Sequence, residues 1–523
     1  MKKISRHLAV LFTFLALPLF SQLPFTIEME ETTFQDWPGL HSFAFGEYDG
    51  KWVFLAGRSN GLHGFFPFTG FPISEANDKI WVMDAESGEV WDWDVAGFSE
   101  EIEGPLLSSN PQFAQRGKYL YIAGGYGKDM AADDFITWPT LLSVDLEMLV
   151  PAIVNGSSPE AAFRLLTDER MRVCGGEMAL LGDDFYLVGG HDFAGLYNSS
   201  GMPTFTQTYT SEIRRFSIAD DGAGFSIENY EAFGDSEYHR RDGSLAPLFL
   251  PDGRPALGFY GGVFQPSADL PFQHPIYIAS GNIETDASYF QKMSQYTCPV
   301  VPLFDEENGT MYSAFFGGIS LHYKDGDNGL VADSLMPFIN EVSVFVRHAD
   351  GSSKEVVTDL GFDELLGTNA KFILSPDAPH FDNKVLKLND LQGRTMVGYV
   401  YGGIKALLPN ITPSEGSNRL FKIFIKPIVS PTKNQVPEEV HAYVFPNPFS
   451  RQAEIRLPGN FRPEELKVIN LAGEIVWRAK QVNTDELMRQ AALFLENTQP
   501  GVYFLKMDGK GKTARVKVMK MRE

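Results

Sequence analysis

In a chain of 523 residues with a formal net charge of −23, a few cationic and imidazole side chains stand where they could do chemistry. Arg172 in ERMRVC (169–174) and Arg240 and Arg241 in YHRRDG (238–243) offer guanidinium groups that could receive a carboxylate or sulfate through paired N–H donors. His239 lies in the same YHRRDG segment, His191 and Asp192 open HDFAGLYNSS, and His322 stands in ISLHYKDGDNG. These seven are the candidate ligand-binding residues; for the arginines the competing role is a salt bridge to one of the many local acids. In KDGDNG (324–329), Asp325 and Asp327 alternate as in a calcium loop, without the later bidentate Glu of an EF-hand, so calcium is the one cofactor the sequence raises. No catalytic set is readable. The ten His show neither HxxxH nor HExxH spacing, and neither a Gly-x-Ser-x-Gly elbow nor a phosphate-binding glycine loop occurs.

The elements that must position these residues are strands and turns. Forty-two Phe, 19 Tyr, 49 Gly and 32 Pro, with only 2 Cys, describe a β-rich chain that is not stapled by disulfides. A 44% hydrophobic content over this length is enough for two to four domains. The acidic balance excludes nucleic acid or an anionic membrane as the main partner.

Residues 1–21 combine a basic start (Lys2, Lys3, Arg6), an apolar run from Leu8 to Phe20 and Ser21 before Gln22, the pattern of a signal peptide. The run is shorter than the roughly 20 residues a membrane-spanning helix needs, and no later stretch reaches that length without charges. A soluble, exported, monomeric chain is expected. In the oxidising medium outside, Cys174 and Cys298 are free to pair, but each precedes the first strand of a different, non-adjacent unit, so two buried thiols are expected.

A short apolar run ending in glycine recurs six times: VFLAG (53–57), LYIAGG (120–125), FYLVGG (185–190), LGFYGG (257–262), SAFFGG (313–318) and VGYVYGG (397–403). The first glycines fall at 57, 124, 189, 261, 317 and 402, so the core is constant while the loops vary. A strand and a polar turn precede each copy, and a third strand follows, as in NDKIWVMD (77–84) and SEIRRFSI (211–218). Such four-stranded units cannot each bury both faces alone and should pack radially. A residue without Cβ at the strand end lets neighbouring units approach and permits positive φ. With Gly-Gly ending the second strand and aromatics on the third, the repeat resembles Kelch, which implies a six-bladed β-propeller over 22–428. The sixth unit ends at its third strand, LFKIFIKPI (420–428). The alternating FTIEMEE (25–31), within 22–35, is expected to supply its fourth strand and close the ring.

Beyond a Pro/Ser/Thr/Lys linker (429–437) the charge changes sign. Residues 438–523 carry 14 Lys+Arg and 11 Asp+Glu, against −29 for the segment between them and the signal peptide. Short strands at 444–449, 453–458, 466–477, 493–507 and 514–520 suggest a small immunoglobulin-like β-sandwich. The order VFPNPF, NLAGEIV, PGVYFLKM, KTARVKVMK resembles the type A C-terminal sorting domain of the type IX secretion system of Bacteroidetes. On that resemblance Pro446, Asn447, Pro448, Phe449, Gly473, Gly501 and Tyr503 are sorting-motif residues, and the secretion machinery is a partner.

The long loops after the second strands (58–76, 126–139, 191–210, 263–274, 319–339 and 404–416) interleave aromatics with Asp, Asn and Gly, which suits an extracellular glycan or protein ligand. The alternative is a secreted enzyme with its site at the channel mouth. Kelch-like propellers include copper-radical oxidases, for which His191, His239 and His322 are the available imidazoles. They also include sialic-acid epimerases, for which Arg172 and Glu177 are the nearest candidates.

Overall fold

The computed structural model describes residues 23–522 apart from 65–66, 197–203, 327–328, 429–437, 459–460, 472–473, 481–482 and 510–511. The expected signal peptide, the linker, Asp327 and Gly473 lie outside the described residues. The chain is all-β in character, and it divides into two units, 1–427 and 428–523.

The first unit is built from six antiparallel sheets whose main strands follow one another in chain order. In the first sheet these are Ala44–Tyr48, Lys51–Leu55, Lys79–Met83 and Val90–Asp94. The order repeats in sheets starting at Gln112, Glu177, Arg241 and Val300. The sixth runs Leu365–Leu374, Thr395–Leu408, Leu420–Pro427 and then, from the other end of the chain, Phe25–Glu31. That last pair is antiparallel in continuous register from Phe25↔Pro427 to Glu31↔Phe421.

Each sheet shares an apolar cluster with the next. Val53 and Leu55 of the first sheet pack with Leu120 and Ile122 of the second. Tyr121 of the second packs with Phe185 of the third, and Val188 of the third with Phe259 of the fourth. Tyr260 of the fourth meets Phe315 of the fifth, and Val344 of the fifth meets Val400 of the sixth. The series returns to its start, because Tyr399 and Tyr401 of the sixth sheet pack with Phe43, Trp52 and Phe54 of the first. Lys371 of the sixth sheet also pairs with Glu177 of the third at 3.2 Å.

The glycine pairs sit where one sheet meets the next. Gly124 has φ +63, and a Cβ there would lie 1.9 Å from the Val173 carbonyl oxygen at the start of the third sheet. At Gly317, φ is +61 and the corresponding clash with the Leu366 oxygen is 1.8 Å. Neither position can take a side chain without moving the backbone of its neighbour. The following amides then bond across the seam, as Gly125 N–H does to Val173 O (2.9 Å) and Gly403 N–H to Leu40 O (2.8 Å). In the first sheet Ala56 (φ 57) and Gly57 (φ 87) take these two places, which is why VFLAG shows a single glycine.

The C-terminal unit departs from the expected sandwich of strands. It has a five-stranded sheet, ordered Glu438–Glu439, Lys512–Lys520, Gly501–Gly509, Glu465–Asn470, Ile475–Lys480, and a two-stranded hairpin, Tyr443–Phe445 with Glu454–Arg456. Residues 493–497, expected to be strand, belong instead to the helix Thr484–Asn497. Asn483 caps it by accepting the Asp485 and Glu486 amides at 3.0 and 3.3 Å, and Leu487, Ala491 and Leu495 bury one stripe. The contiguous AALFL run hides that stripe, because Leu493 is apolar yet exposed and Phe494 packs sideways on Trp477. The expected single strand 466–477 is a hairpin turning between Asn470 and Ile475.

Candidate functional site

At the end of every sheet that carries the long loops, the residue after the glycine pair bridges back to the lead-in of the first strand. The pairs are His41↔Arg58, Ser109↔Tyr126, Cys174↔His191, Arg241↔Val263, Tyr296↔Ile319 and Thr368↔Ile404. The residue after each lead-in is left-handed: Ser42, Asn110, Gly175, Asp242, Thr297 and, in the sixth sheet, Asn369, with φ from 48 to 64. These residues also bond from sheet to sheet. Asn110 N–H donates to Ser42 O (3.1 Å), Gly175 to Asn110 (3.1 Å), Asp242 to Gly175 (2.7 Å) and Asn369 to Thr297 (2.5 Å). This collar escaped the sequence reading. Its signal is a small or polar residue, most often Asn, Asp or Gly, before each first strand, the types that tolerate positive φ best.

The predicted site residues fall around this collar, and most are already occupied. Arg172 donates twice to Glu169 (2.7 and 2.8 Å) and once to Thr137 O (2.8 Å), and the Glu169 carboxylate raises its pKa. Arg240 is fully buried. It donates to Glu237 O (2.6 Å), His274 O (2.9 Å), Gly261 O (3.2 Å) and the Glu237 carboxylate (2.9 Å), with its guanidinium over Phe272. Burial lowers its pKa to about 10.

Three predicted residues do come together, on Tyr209. His239 stacks on its ring at 4.0 Å, His191 lies 5.7 Å away, and Arg241 Nε donates to its hydroxyl at 3.2 Å. Arg241 is also paired with Asp242 at 2.8 Å. Burial, opposed by Arg241, raises the Asp242 pKa; burial, opposed by Arg172, likewise raises that of Asp192. His322 stands apart on the fifth-sheet hairpin, its Nδ1 against Lys292 O at 3.0 Å. Asp325 begins the turn after that hairpin strand, its amide donating to Gly329 O (2.9 Å). Among the described residues no group of three or more His, Cys, Asp or Glu is placed to hold a metal ion. Both cysteines are buried free thiols, pushed up to about 12 by burial.

Two of the imidazoles, His41 and His191, are buried and held neutral. Burial lowers His41 to about 3 and His191 well below its ordinary value, with Arg58 and Arg241 adding in the same direction. In the unfolded chain both titrate near 6.5, so below that pH the unfolded state binds more protons and is favoured. Their contribution is fully present above pH 6.5 and is lost as pH falls toward the folded values. Two such groups should cost about 3–4 kcal/mol between pH 7 and pH 5. Urea unfolding at the two pH values checks this, and a smaller slope is expected for His41→Asn/His191→Gln; a flat profile would contradict the buried neutral state.

An aromatic-walled cavity lies elsewhere, between the loop residues Arg58 and Phe71–Ala76 of the first sheet, the helix Glu100–Leu106 and the hairpin Tyr126–Asp129/Asp134–Thr137. It holds about 470 Å³. Phe71, Tyr126, Phe135 and Trp138 wall it, and Glu100, Glu101 and Glu103 also line it. Its two cations are engaged: Arg58 donates to Asn60 Oδ1 (3.0 Å) and Pro72 O (2.7 Å), and Lys128 pairs with Asp133 at 2.5 Å. Sequence reading reached these loops as aromatic insertions but not the helix that completes the cavity.

In the C-terminal unit the motif residues hold the last strand. Asn447 donates to Lys517 O (2.7 Å) and accepts from the Met519 amide (2.9 Å), while the Phe449 backbone bonds Met519 O and the Met521 amide. Tyr503, after Gly501 at the strand start, donates its hydroxyl to Gln499 O (2.9 Å). Lys520 Nζ caps the helix end through the Glu496 and Thr498 carbonyls (2.5 and 2.7 Å).

Residues 443–521 match the family described as the secretion system C-terminal sorting domain. The chain thus carries a type IX sorting tail, and its destination is the cell surface or the medium outside. No helix among the described residues is long and apolar enough to cross a membrane. No curated protein matches the chain.

Proposed function

We propose that residues 23–427 form a six-bladed, Kelch-like propeller that binds an extracellular glycan or protein through its loop-bearing face. The ring is supported by the six apolar clusters that return from the sixth sheet to the first, and by the Lys371–Glu177 pair between the sixth and third sheets. Binding is favoured over catalysis because the guanidinium and imidazole groups at the mouth are taken up by internal partners or held neutral by burial. The observation that carries the reading is the aromatic-walled cavity of about 470 Å³, within the range of ligand sites.

The test is a combined glycan and protein array probed with the purified chain lacking its first 21 residues, with and without calcium. The calcium arm follows from Asp325 and Asp327. Discrete binding that a loop-face substitution removes is expected. Binding that survives substitutions across that face, or turnover of an arrayed compound, would replace this reading by another.

A further inference from the structure

We propose that the cavity between the first two sheets is a saccharide site, taking a neutral sugar unit edged by hydroxyls. This deepens the reading of a ligand-binding face and rests on it. Four aromatic rings (Phe71, Tyr126, Phe135, Trp138) supply flat walls against which the C–H faces of a sugar ring can stack. The polar groups are of two kinds. Glu100, Glu101 and Glu103 contribute carboxylates with no hydrogen-bond or ion-pair partner among the described residues, so they are free acceptors. Trp138 contributes an indole N–H that is buried and finds no acceptor among the described residues.

Ligand classes meet these demands unequally. An organic ammonium or guanidinium that carries no hydroxyl offers no acceptor: it would meet the glutamates and the aromatic faces and leave the indole N–H orphaned. An anion offers acceptors, but it would face three carboxylates plus Asp129, while the guanidinium of Arg58 and the ammonium of Lys128 are already engaged. A hydroxyl donates and accepts at once, so a polyhydroxylated ring meets both kinds of group while its apolar face stacks. Gly104 sets the position of the wall. A Cβ there would lie 2.6 Å from Cζ2 of Trp138, so the helix backbone rests directly on the indole.

The experiment arrays neutral, amino- and acidic oligosaccharides beside lysine-rich and acidic peptides, probed with the chain lacking residues 1–21. The best compound is then titrated by calorimetry. A neutral oligosaccharide is expected to bind. Trp138→Ala should weaken it by about 50-fold or more, while Trp138→Phe, which keeps a ring and loses the N–H, and Glu101→Gln/Glu103→Gln should each cost about 5–20-fold. Leu493→Ala, on the exposed face of the helix Thr484–Asn497, should leave affinity unchanged. Thermal midpoints of all variants are compared with the parent, so that a folding defect is separated from a lost contact. A preference for lysine-rich peptides, or saccharide binding indifferent to Trp138→Ala, overturns the saccharide site and leaves the ligand-binding reading standing. Binding of neither saccharide nor peptide overturns both.

Discussion

Phe25→Ala should lower the stability of the first unit by about 3–5 kcal/mol, and deleting Phe25–Glu31 should prevent it from folding to a soluble monomer. Phe25 is 2% exposed and meets Tyr312 of the fifth sheet edge-to-face at 5.2 Å. It shares its cluster with Val301, Leu303, Ile423 and Ile425. The strand therefore completes the sixth sheet and also seals the apolar seam between the fifth and sixth. Its Arg394 pairs with Glu28 and Glu30 are solvent-accessible and contribute little beside that burial, whereas Arg419, 13% exposed, holds Glu31 from a mostly buried position. Without the strand, Leu420–Pro427 becomes an open edge carrying Phe421, Ile423 and Ile425, a template for pairing with another chain. Urea unfolding of the point variant and size-exclusion chromatography of the deletion give the readouts. A loss below 1 kcal/mol, or a monomeric and cooperatively folded deletion, would show that the strand is an ornament of the sheet.

Arg240→Ala should be nearly as damaging, although the sequence marks Arg240 as a ligand-binding residue. Its side chain is fully buried, and its removal strips hydrogen bonds from the carbonyls of Glu237, Gly261 and His274 and orphans the Glu237 carboxylate. Breaking one partner of such a buried set costs roughly 3–5 kcal/mol. Arg240→Lys should recover little, because one ammonium cannot reach four acceptors arranged for a planar fork. The neighbouring Arg241→Ala serves as a comparison: that group bonds Asp242 and Tyr209 through a less buried side chain and should cost less. Chemical denaturation measures both. Equal, small losses would place Arg240 at an accessible site after all.

What could be read from the sequence follows from how local the physics is. The apolar runs ending in glycine are strands whose ends meet neighbours, because both the positive φ and the missing Cβ are written in the residue type. The alternation of FTIEMEE likewise reads as an edge strand, and it lies against Leu420–Pro427. The helix Thr484–Asn497 was missed because Leu493 and Phe494 fill its exposed and half-buried face, so the run of apolar residues reads as strand. At the site, Arg172, Arg240 and Arg241 were visible as cations in an acidic chain. Residue type alone could not say that Glu169, Asp242 and three carbonyls already hold them. The cavity was the least legible feature, since it needs Gly104 and Trp138, 34 positions apart, to touch across two sheets.

Surface delivery by the C-terminal module is tested most directly by locating two forms of the chain in a Bacteroidetes cell with a working type IX system. One is full length and the other ends at residue 437. Protease added to whole cells, with fractionation of periplasm and medium, reports where each resides. The full-length chain should be found at the surface or in the medium, and the shortened one should remain in the periplasm, shielded from protease until the outer membrane is opened. A shortened chain that reaches the surface as efficiently as the full-length one would contradict delivery by residues 443–521.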